Sequence, residues 1–574
     1  MGYKDKYLQW ISKDYFDEET KVELRGIEKN EKEIEDRFYK DLEFGTGGLR
    51  GIIGAGTNRM NIYTVRRATQ GLCNYILKFG KESKDRGVAI AYDSRNKSRE
   101  FSEEVCRVLA GNGIKAYLFD SLRPTPQLSF AVRTLNCISG IVITASHNPP
   151  EYNGYKVYWE DGGQVVYHAD EIIKEVNAID NFEDIKVLAF EEGKNLGLIE
   201  ILGEEIDKLY IDRLKEEVIN KECIEKLGED FKIIYTPIHG TGNIPVRRVL
   251  KEIGFKHVLV VKEQEMPDGA FPTVKYPNPE EREVFEIAIE LGKKENADII
   301  MGTDPDADRV GVVVKNNQGE YITLNGNQIG CLLTEYILSQ SKEKNILPSN
   351  GAIIKTIVTS PMAKNIGENY GVEVIDVLTG FKYIGEKILE FEKNNNYEYI
   401  FGFEESYGFL KGDYVRDKDA VNACMIIAEM AAFYKSIGLT LYQALIKLYD
   451  KYGYYKEDLY SLTMKGKEGL EKIKNTLTKF RKNTPRSFNG IKVVDFIDYK
   501  SSEAINLLTN EKRKINLPKS DVLYFTLEDE SWIAVRPSGT EPKVKFYFGV
   551  KGLSFHEVDF KLKSLSKEVI NGIG

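Results

Sequence analysis

The fold class is decided by VAIAYDSRNKSREFSEEVCRVLAGNGIKAYLFDSLRPTPQLSFAVRTLNCISGIVITAS, residues 88–146, in which two patterns alternate. Short apolar runs at 88–93, 114–119 and 138–146 are typical of buried strands, whereas 98–113 and 125–136 have the spacing of helices. Strands that alternate with helices of about 10–15 residues indicate βαβ units around a mostly parallel sheet. The stretch therefore predicts an α/β domain.

The same alternation returns twice further along the chain. The second set has strands at FKIIYTPI, HVLVV and DIIMGTD, with helices over residues 246–254 and 280–295. The third set has strands at AIIKTIV, VEVIDVL and YIFGFEES, with helices over residues 362–370 and 381–394. The chain thus predicts three repeated mixed α/β sheet domains that share an architecture without close sequence identity.

The two ends of the chain have different patterns. Residues 1–40 are densely charged and predict helix, for instance over Ile27–Phe38. Near the other end KVVDFIDY, VLYFTLED, SWIAVRPS and KVKFYFGV predict strands, and a helix with one apolar face follows them. We therefore expect a smaller C-terminal α+β domain. The predicted division is a helical extension over 1–40 and domains I to IV over 41–200, 201–318, 319–470 and 490–574.

Length and composition limit the classes of function. The chain has 574 residues, which suits several domains, and 42% hydrophobic with 29% charged residues is ordinary globular composition. The net charge of −9 argues against a protein that binds nucleic acid over its whole surface. Six scattered cysteines without CxxC spacing favour a reducing, cytoplasmic setting. We expect neither a secretory signal nor a membrane span, because the chain lacks a long apolar run.

Two loops after predicted strands carry candidate chemistry, since open α/β sheets bind ligands at the carboxyl ends of their strands. TASHNP, Thr144–Pro149, places the Ser146 hydroxyl on an irregular turn, although Ser and Asn also cap ordinary turns. GTDPDADR, Gly302–Arg309, carries three alternating carboxylates, which an extended loop points the same way. Like charges this close favour a bound cation, and carboxylate oxygens suit Mg²⁺. These carboxylates belong to Asp304, Asp306 and Asp308.

The acidic loop has two alternatives to a Mg²⁺ site, an EF-hand and a solvated acidic loop. An EF-hand needs Gly at its sixth position and Glu at its twelfth, where this chain has Arg309 and Lys315. A solvated acidic loop is the other alternative, and the apolar runs on both sides of the segment argue against it. The sequence therefore favours a metal site in this loop.

Two further loops suggest binding of a sugar and of an anion. In GFEESYG, Gly402–Gly408, paired Glu side chains beside Ser406 can accept hydrogen bonds from vicinal hydroxyls, and an exposed turn is the alternative. In RPSGTEPK, Arg536–Lys543, a guanidinium fork precedes hydroxyls and backbone N–H groups that can form an anion nest. A simple β-turn is the alternative for this loop.

The sequence lacks the motifs of several other enzyme classes. FGTGGLRGIIGAG, Phe44–Gly56, is not a dinucleotide fingerprint, because no strand precedes it and Arg50 replaces the last glycine. GxxxxGK[ST], HExxH and GxSxG are absent, which argues against a P-loop NTPase, a zinc hydrolase and an α/β-hydrolase.

Together these loops resemble, in their order and spacing, the four signature loops of the α-D-phosphohexomutase superfamily. They are TASHNP, GTDPDADR, GFEES and RPSGTEPK. GTGGLRG, DSRNKS and TGFKYIG are similar to further segments of that family, so the resemblance spans roughly residues 40–550. It implies four domains arranged around a deep central cleft, which agrees with three repeats and one different domain.

The resemblance also implies a role for each loop. Ser146 would carry a phosphoryl group, and it would share Mg²⁺ with Asp304, Asp306 and Asp308. Residues expected to bind the sugar-phosphate substrate are Arg309, Thr379, Gly380, Glu404 and Ser406. Those expected to bind the distal phosphate are Arg536, Ser538, Gly539 and Thr540. Further catalytic candidates are Arg50, His147, Lys156 and Lys382.

The long segment 147–159 and the charged extension resemble the branch that holds larger phosphoglucomutases, phosphopentomutases and glucose-1,6-bisphosphate synthases. We expect an isomerase of α-phosphoglucomutase type, with a phosphoserine and with glucose 1,6-bisphosphate as intermediate and activator. Alternatives are a phosphopentomutase, a phosphomannomutase, a sugar-bisphosphate synthase and, from another class, a non-catalytic sugar-phosphate-binding protein. Ser146 and the complete Asp triad count against the last, since binding alone needs no phosphoacceptor. A monomer or weak homo-oligomer is expected.

Overall fold

The described residues fold into four β-sheets that follow one another along the chain, each with its own helices. This computed structural model describes residues 2–45, 47–463, 466–537 and 543–571, and the side chains of all of these except 466–470, 472 and 473. We call each sheet with its helices a unit. The first three units are mixed α/β and the fourth is α+β with an antiparallel sheet, which confirms the predicted fold class.

A helical extension precedes the first unit. The helix predicted over Ile27–Phe38 begins only at Glu31, because the Asn30 side chain accepts a hydrogen bond from the Glu33 amide and caps the helix there. Residues before it form a separate turn and two earlier helices. The elements are α1 (Tyr3–Ser12), α2 (Glu18–Gly26) and α3 (Glu31–Phe38).

The first unit has a six-stranded sheet. Its elements are β1 (Gly48–Ile52), α4 (Ile62–Leu77), α5 (Lys81–Arg86), β2 (Val88–Tyr92), α6 (Ser98–Gly111), β3 (Ala116–Phe119), α7 (Thr125–Thr134), β4 (Ser139–Ile143), β5 (Tyr152–Trp159), α8 (Ala169–Asn177), α9 (Phe190–Asn195) and β6 (Ile199–Leu202). The order is β1-β5-β4-β2-β3-β6, in which β1 and β5 run antiparallel to their neighbours. Every residue of β2 and β4 is buried, because helices cover both faces of the parallel part.

The second unit repeats the parallel core with a five-stranded sheet. Its elements are α10 (Glu204–Lys215), α11 (Lys221–Leu227), β7 (Lys232–Thr236), α12 (Asn243–Ile253), β8 (His257–Val260), α13 (Lys262–Glu265), a 3₁₀ turn (Arg282–Phe285), α14 (Glu286–Glu295), β9 (Ile299–Thr303), β10 (Val310–Lys315) and β11 (Tyr321–Leu324). The order is β11-β10-β9-β7-β8, with β10 and β11 antiparallel.

The third unit has a four-stranded sheet. Its elements are α15 (Gly326–Glu343), β12 (Gly351–Thr356), α16 (Met362–Tyr370), β13 (Glu373–Val377), α17 (Phe381–Asn394), β14 (Glu398–Glu404), β15 (Gly408–Lys411), α18 (Ala420–Ser436) and α19 (Leu441–Tyr452). The order is β13-β12-β14-β15, and only the hairpin strand β15 is antiparallel among these described strands.

The fourth unit consists of β16 (Tyr454–Thr463), α20 (Gly466–Lys482), β17 (Ser487–Phe488), β18 (Ile491–Asp498), β19 (Glu503–Asn506), β20 (Lys512–Lys514), β21 (Leu523–Leu527), β22 (Trp532–Pro537), β23 (Lys543–Gly552) and α21 (Phe555–Asn571). β16 pairs with β23 along its whole length. The strand over residues 454–463, which the sequence division assigns to the third domain, therefore belongs to the fourth sheet. The apolar face predicted for α21 is buried.

One apolar core runs through the first three units without interruption. α18 is apolar on nearly all sides, because it packs between the second unit and the rest of the third. Within the described chain, no single helix has both the length and the apolar character to cross a bilayer; α18 and α19 meet that test only jointly, across an 83° bend.

The helical extension is anchored to the first unit by aromatic packing around Trp10. This side chain is 2% exposed and stacks on Phe16 with ring centroids 4.3 Å apart. It also contacts Tyr63 of α4 edge to face at 5.3 Å. Such pairs add to the free energy gained by burying the rings.

We expect Trp10→Ala to destabilise the extension and the first unit by about 3–5 kcal/mol, the usual cost of removing a large buried ring. Leu8→Ala is the matched control, since Leu8 lies on the same helix but is 55% exposed. Circular dichroism melting of both variants tests this. An equal melting temperature for the two variants would contradict the anchoring role.

Candidate active site

Ser146 lies directly beyond β4, where the chain turns sharply. Its backbone is in the left-handed region (φ 51°), and its amide donates to the Thr144 hydroxyl at 2.8 Å. The turn directs Oγ away from the sheet, so that it donates to Asp304 Oδ2 at 2.9 Å. The same oxygen lies 3.2 Å from Nδ1 of His147. The sequence-predicted serine is thus in contact with the predicted acidic loop, 158 residues away in the chain.

The three aspartates of the acidic loop form a compact, buried cluster. One carboxylate oxygen from each lies within 4.8 Å of the others. Oδ1 of Asp304 accepts from the amides of Asp308 and Arg309, both at 3.0 Å. Among the described residues, Oδ1 of Asp306 and Oδ1 of Asp308 are buried without a hydrogen-bond partner. Buried carboxylate oxygens of this kind fit a hard cation such as Mg²⁺.

Two lysines from other units compensate the charge of this cluster. Lys156 of β5 lies 2.9 Å from Asp306 Oδ2, and Lys418 of the third unit lies 2.9 Å from Asp308 Oδ2. Although burial acts in the opposite direction, Lys156 lowers the pKa of Asp306, and Lys418 with Lys156 lowers that of Asp308. Burial, followed by the charges of its two neighbours, raises the pKa of Asp304 well above its ordinary value.

The backbone of the acidic loop is held by all three α/β units. The amide of Thr125 in the first unit donates to the carbonyl of Asp306 at 2.9 Å. Thr241 of the second unit donates to the carbonyl of Pro305 at 2.8 Å, and Ala420 of the third to that of Ala307 at 3.1 Å. The loop is therefore fixed at the point where the three units meet.

A cleft of about 1000 Å³ opens beside this cluster, and residues from all four units line it. Predicted site residues in its wall are Arg50, His147, Arg309 and Ser406. Arg50, on β1, donates to the Asn148 side chain at 3.2 Å. Arg309 is paired with Glu280 at 2.6 Å, so that its guanidinium is fixed at the cleft. The cleft brings together candidates that are up to 356 positions apart in the chain.

Glu404 lies behind this wall at the end of β14 and is 4% exposed. Its burial raises the pKa of its carboxyl to about 7, against the opposing charges of Lys418 and Arg309. Glu405, beside it in the sequence, lines the cleft and accepts from the Thr356 hydroxyl at 2.8 Å.

The other predicted residues of the third unit lie in the turn from β13 to α17. Thr379 and Gly380 form this turn, and Gly380 has φ 111°, which favours glycine. Lys382 is in the first turn of α17. Burial and then the positive charge of Arg536 lower the pKa of Lys382, so these two cations face each other across the third and fourth units.

Arg536 lies on β22 opposite Lys545 of β23. Burial and the charge of Arg536 also lower the pKa of Lys545. Cations gathered in this way suit a dianionic ligand group. The predicted phosphate-binding residues Ser538, Gly539 and Thr540 lie outside the described residues.

His147 is placed for proton transfer to or from Ser146. Desolvation, followed by the positive charges of Arg309 and Arg50, lowers the pKa of His147 well below its ordinary value. The imidazole is therefore neutral at physiological pH, with a ring nitrogen close to Oγ.

Sequence reasoning missed two residues that contact the cluster from elsewhere in the chain. Lys418 pairs with Asp308, and the Thr125 hydroxyl donates to Asp306 Oδ2 at 2.8 Å. Neither lies in a loop with a chemical motif of its own. A signal was the mostly buried run YVRDKD, residues 414–419, in which charged residues directly precede the largely apolar α18.

A nucleophilic hydroxyl, a cation-binding cluster and paired cations around one cleft suit phosphoryl transfer, which asks a protein mainly for positioning and charge neutralisation. The fold and the site thus define an enzyme of the phosphotransferase class. Matches to three family models identify the family of this enzyme. They are the alpha/beta/alpha domains I, II and III of phosphoglucomutase/phosphomannomutase, which match residues 41–183, 208–319 and 325–452. The chain belongs to this family, within the α-D-phosphohexomutase superfamily, which confirms the resemblance found in the sequence.

Known relatives are similar to this protein over nearly the whole chain. A phosphoglucomutase of Staphylococcus aureus strain RF122 is 37% identical over 98% of this chain and 99% of its own length. The phosphoglucomutase of strain USA300 is 37% identical over 94% and 96%. The chain is similar in fold to parafusin, a phosphoglucomutase from Paramecium (TM-score 0.67, 18% identity, 93% of this chain and 94% of the other). It is likewise similar to a phosphoglucomutase/phosphomannomutase family protein from Burkholderia thailandensis (TM-score 0.65, 18% identity, 92% and 96%).

The raised pKa of Glu404 predicts a pH-dependent effect of Glu404→Gln in metal-free protein. With a folded pKa of about 7 and an unfolded pKa near 4.5, the folded state binds the extra proton between these values, so stability falls as pH rises through this window. Glu404→Gln removes this loss. Relative to the unmodified protein, we expect it to gain on the order of 2 kcal/mol between pH 5 and pH 8.

Urea denaturation in EDTA at both pH values measures this difference. Glu398→Gln is the control, since Glu398 is exposed at the start of the same strand. If the two variants shift equally between pH 5 and pH 8, burial of Glu404 does not raise its pKa.

Proposed function

We propose that this protein is an α-phosphoglucomutase, which interconverts glucose 1-phosphate and glucose 6-phosphate through a phosphoserine and glucose 1,6-bisphosphate. The observation that carries this is Ser146 Oγ, 2.9 Å from the first of three buried aspartates, beside a cleft lined by four units. The name of relatives that are 37% identical over nearly the full length supports the choice of glucose.

Asp304, Asp306, Asp308 and Ser146 are the residues that would hold Mg²⁺. Oδ1 of Asp306 and Oδ1 of Asp308, which have no hydrogen-bond partner among the described residues, support this, because a buried carboxylate oxygen needs a cation or a donor. When bound, the ion neutralises charge on the transferred phosphoryl group.

In the proposed reaction the phosphoryl group moves between Ser146 Oγ and a sugar hydroxyl. The P–O bond to serine breaks as a P–O bond to the sugar forms, the proton of the attacking sugar hydroxyl passes to a nearby base, and a proton is returned to the departing Ser146 Oγ. His147, neutral and 3.2 Å from Oγ, is placed to take or return a proton at serine. Lys156 and Arg50 supply positive charge to the phosphoryl oxygens.

The other residues would hold the rest of the ligand. Glu404 and Ser406 accept hydrogen bonds from ring hydroxyls, with further contacts from Arg309 in the wall of the cleft and from Thr379 and Gly380 in the turn before α17. Arg536 and Lys382 bind the phosphate that does not react, together with the loop at Ser538, Gly539 and Thr540. Because the two phosphates of the bisphosphate must exchange places, the intermediate turns over within the cleft and also acts as activator.

We further propose the division into domains I to IV given by the sequence, with the last boundary moved. The pairing of β16 with β23 supports a fourth domain that starts after Gly453 rather than at 490. Gly453, with φ 97°, is then the hinge between the third and fourth domains.

A coupled assay tests the function. With Mg²⁺ and glucose 1,6-bisphosphate, we expect kcat/KM on glucose 1-phosphate to exceed that on mannose 1-phosphate and ribose 1-phosphate by about tenfold or more, because a polar site penalises a missing or misplaced hydroxyl. A higher value on ribose 1-phosphate would make the protein a phosphopentomutase, and on mannose 1-phosphate a phosphomannomutase. Net accumulation of bisphosphate would indicate a synthase, and binding without turnover a non-catalytic protein.

We expect Ser146→Ala to lose nearly all turnover, since it removes the atom that carries the phosphoryl group. Intact-mass analysis of the unmodified enzyme should show a phosphate adduct that is absent from this variant. Ser566→Ala, at a half-buried position of α21, is the control and should keep both adduct and turnover. A persistent adduct in Ser146→Ala would place the phosphoacceptor elsewhere.

A further inference from the structure

Arg95 is a buried arginine that the proposed mechanism does not use. It is 3% exposed, and its guanidinium donates to backbone carbonyls of the loop that follows β4. The partners are the carbonyl oxygens of Ser146 at 2.6 Å, Pro149 at 2.8 Å, Tyr152 at 3.1 Å and, in a further bond, Asn148. One side chain thus holds the loop at four points from beneath.

The loop needs such support because of its backbone. A non-glycine residue in the left-handed region, such as Ser146, is strained, and it persists only where the surroundings determine its conformation. Asp93 contributes a second support: it accepts from the Thr144 hydroxyl at 2.6 Å and from the Arg95 amide at 2.9 Å. The position of Oγ therefore depends on Arg95.

Arg95 is in turn held by the second unit. The ring of Phe271 lies 5.0 Å from its guanidinium carbon, a cation–π contact. Phe271 is 1% exposed and itself has φ 46°. Beside it, Gly269 packs so closely on the first unit that a Cβ there would lie 2.4 Å from the Asn96 amide nitrogen.

The segment that carries Phe271 is fixed at both ends by His239. Its Nδ1 lies 3.1 Å from the carbonyl of Met266, and its Nε2 lies 2.9 Å from the Thr273 hydroxyl. The His239 carbonyl also accepts from the Asp268 amide at 3.3 Å. His239 is buried in the loop after β7, so it ties the segment 266–273 to the core of the second unit.

We propose that the segment 266–273 of the second unit clamps the phosphoacceptor loop of the first through the contact between Phe271 and Arg95. Arg95, Phe271 and His239 are then positioning residues, which act on phosphoryl transfer without touching substrate. A displacement of about 1 Å at a reacting atom can lower a rate about a hundredfold, so a loosened loop slows chemistry more than it weakens binding. Only the kinetic part of the proposal rests on the proposed function.

Phe271→Leu tests the clamp, because it keeps an apolar side chain and removes the ring. We expect kcat to fall by about tenfold or more while KM changes by less than about twofold. Hydrogen exchange of backbone amides in residues 145–152, measured by mass spectrometry, should become faster. Phe255→Leu is the matched control, since Phe255 is a buried ring of the second unit that packs on Phe231 instead. The control should lower the melting temperature while kcat and loop exchange stay unchanged.

Thr273→Val is a milder second variant, which removes a partner of His239 without changing the shape of the side chain. It should shift kcat and loop exchange in the same direction by a smaller factor, and it keeps the test open if Phe271→Leu fails to fold. Unchanged exchange in residues 145–152 in both variants overturns the clamp. Faster exchange with unchanged kcat overturns the positioning role. If the unmodified protein turns over none of the sugar phosphates, the proposed function fails, and the exchange data still decide the clamp.

Discussion

The burial of three carboxylates in one loop is the constraint on which the rest of the structure depends. Desolvation of even one ion costs several kcal/mol unless hydrogen bonds and opposite charges compensate it. No single unit supplies that compensation for Asp304, Asp306 and Asp308. The first unit contributes Lys156 and the third contributes Lys418, so the cluster is satisfied only when these units are assembled around the second. The same three units also share one apolar core.

The fourth unit is joined to the third by different interactions. One part of its contact with the third unit is a small apolar cluster that includes Val358, Leu378 and Trp532, next to the cations Lys382 and Arg536. Cations held close to each other are stabilised when an anion comes between them. A ligand phosphate would therefore strengthen this junction, whereas the first three units are already fixed by their own charges. The first three units thus form a preformed reaction centre, whereas the attachment of the fourth unit would be strengthened by a ligand phosphate.

Much of the fold and of the candidate site could be predicted from the sequence, and the reason is physical. Strands buried on both faces, such as β2, β4 and β9, are continuous apolar runs, and their ends mark the loops with chemistry. β16 escaped prediction because it is a sheet edge with charged and exposed residues, KEDLYS, that resembles a loop. Lys418 escaped because its partner Asp308 lies far away in the chain. Arg95 lies in the DSRNKS segment, but its role escaped because its partners are backbone carbonyls, which leave no trace in residue spacing.

The geometry of the site is a property of the assembly rather than of its motifs. A non-glycine residue with left-handed backbone occurs in each of three loops, and the carbonyl of each is held by a donor from outside its own turn. The pairs are Ser146 with Arg95, Ala307 with Ala420, and Tyr407 with Val310. Two of these bonds cross between the second and third units, and in the first pair the donor is braced by Phe271 of the second unit. An isolated second or third unit would carry the strain of its loop without the bond that offsets it, and an isolated first unit would lose the ring that braces Arg95. The motifs therefore identify the chemistry, and only the joined units give those residues the shape that the chemistry needs.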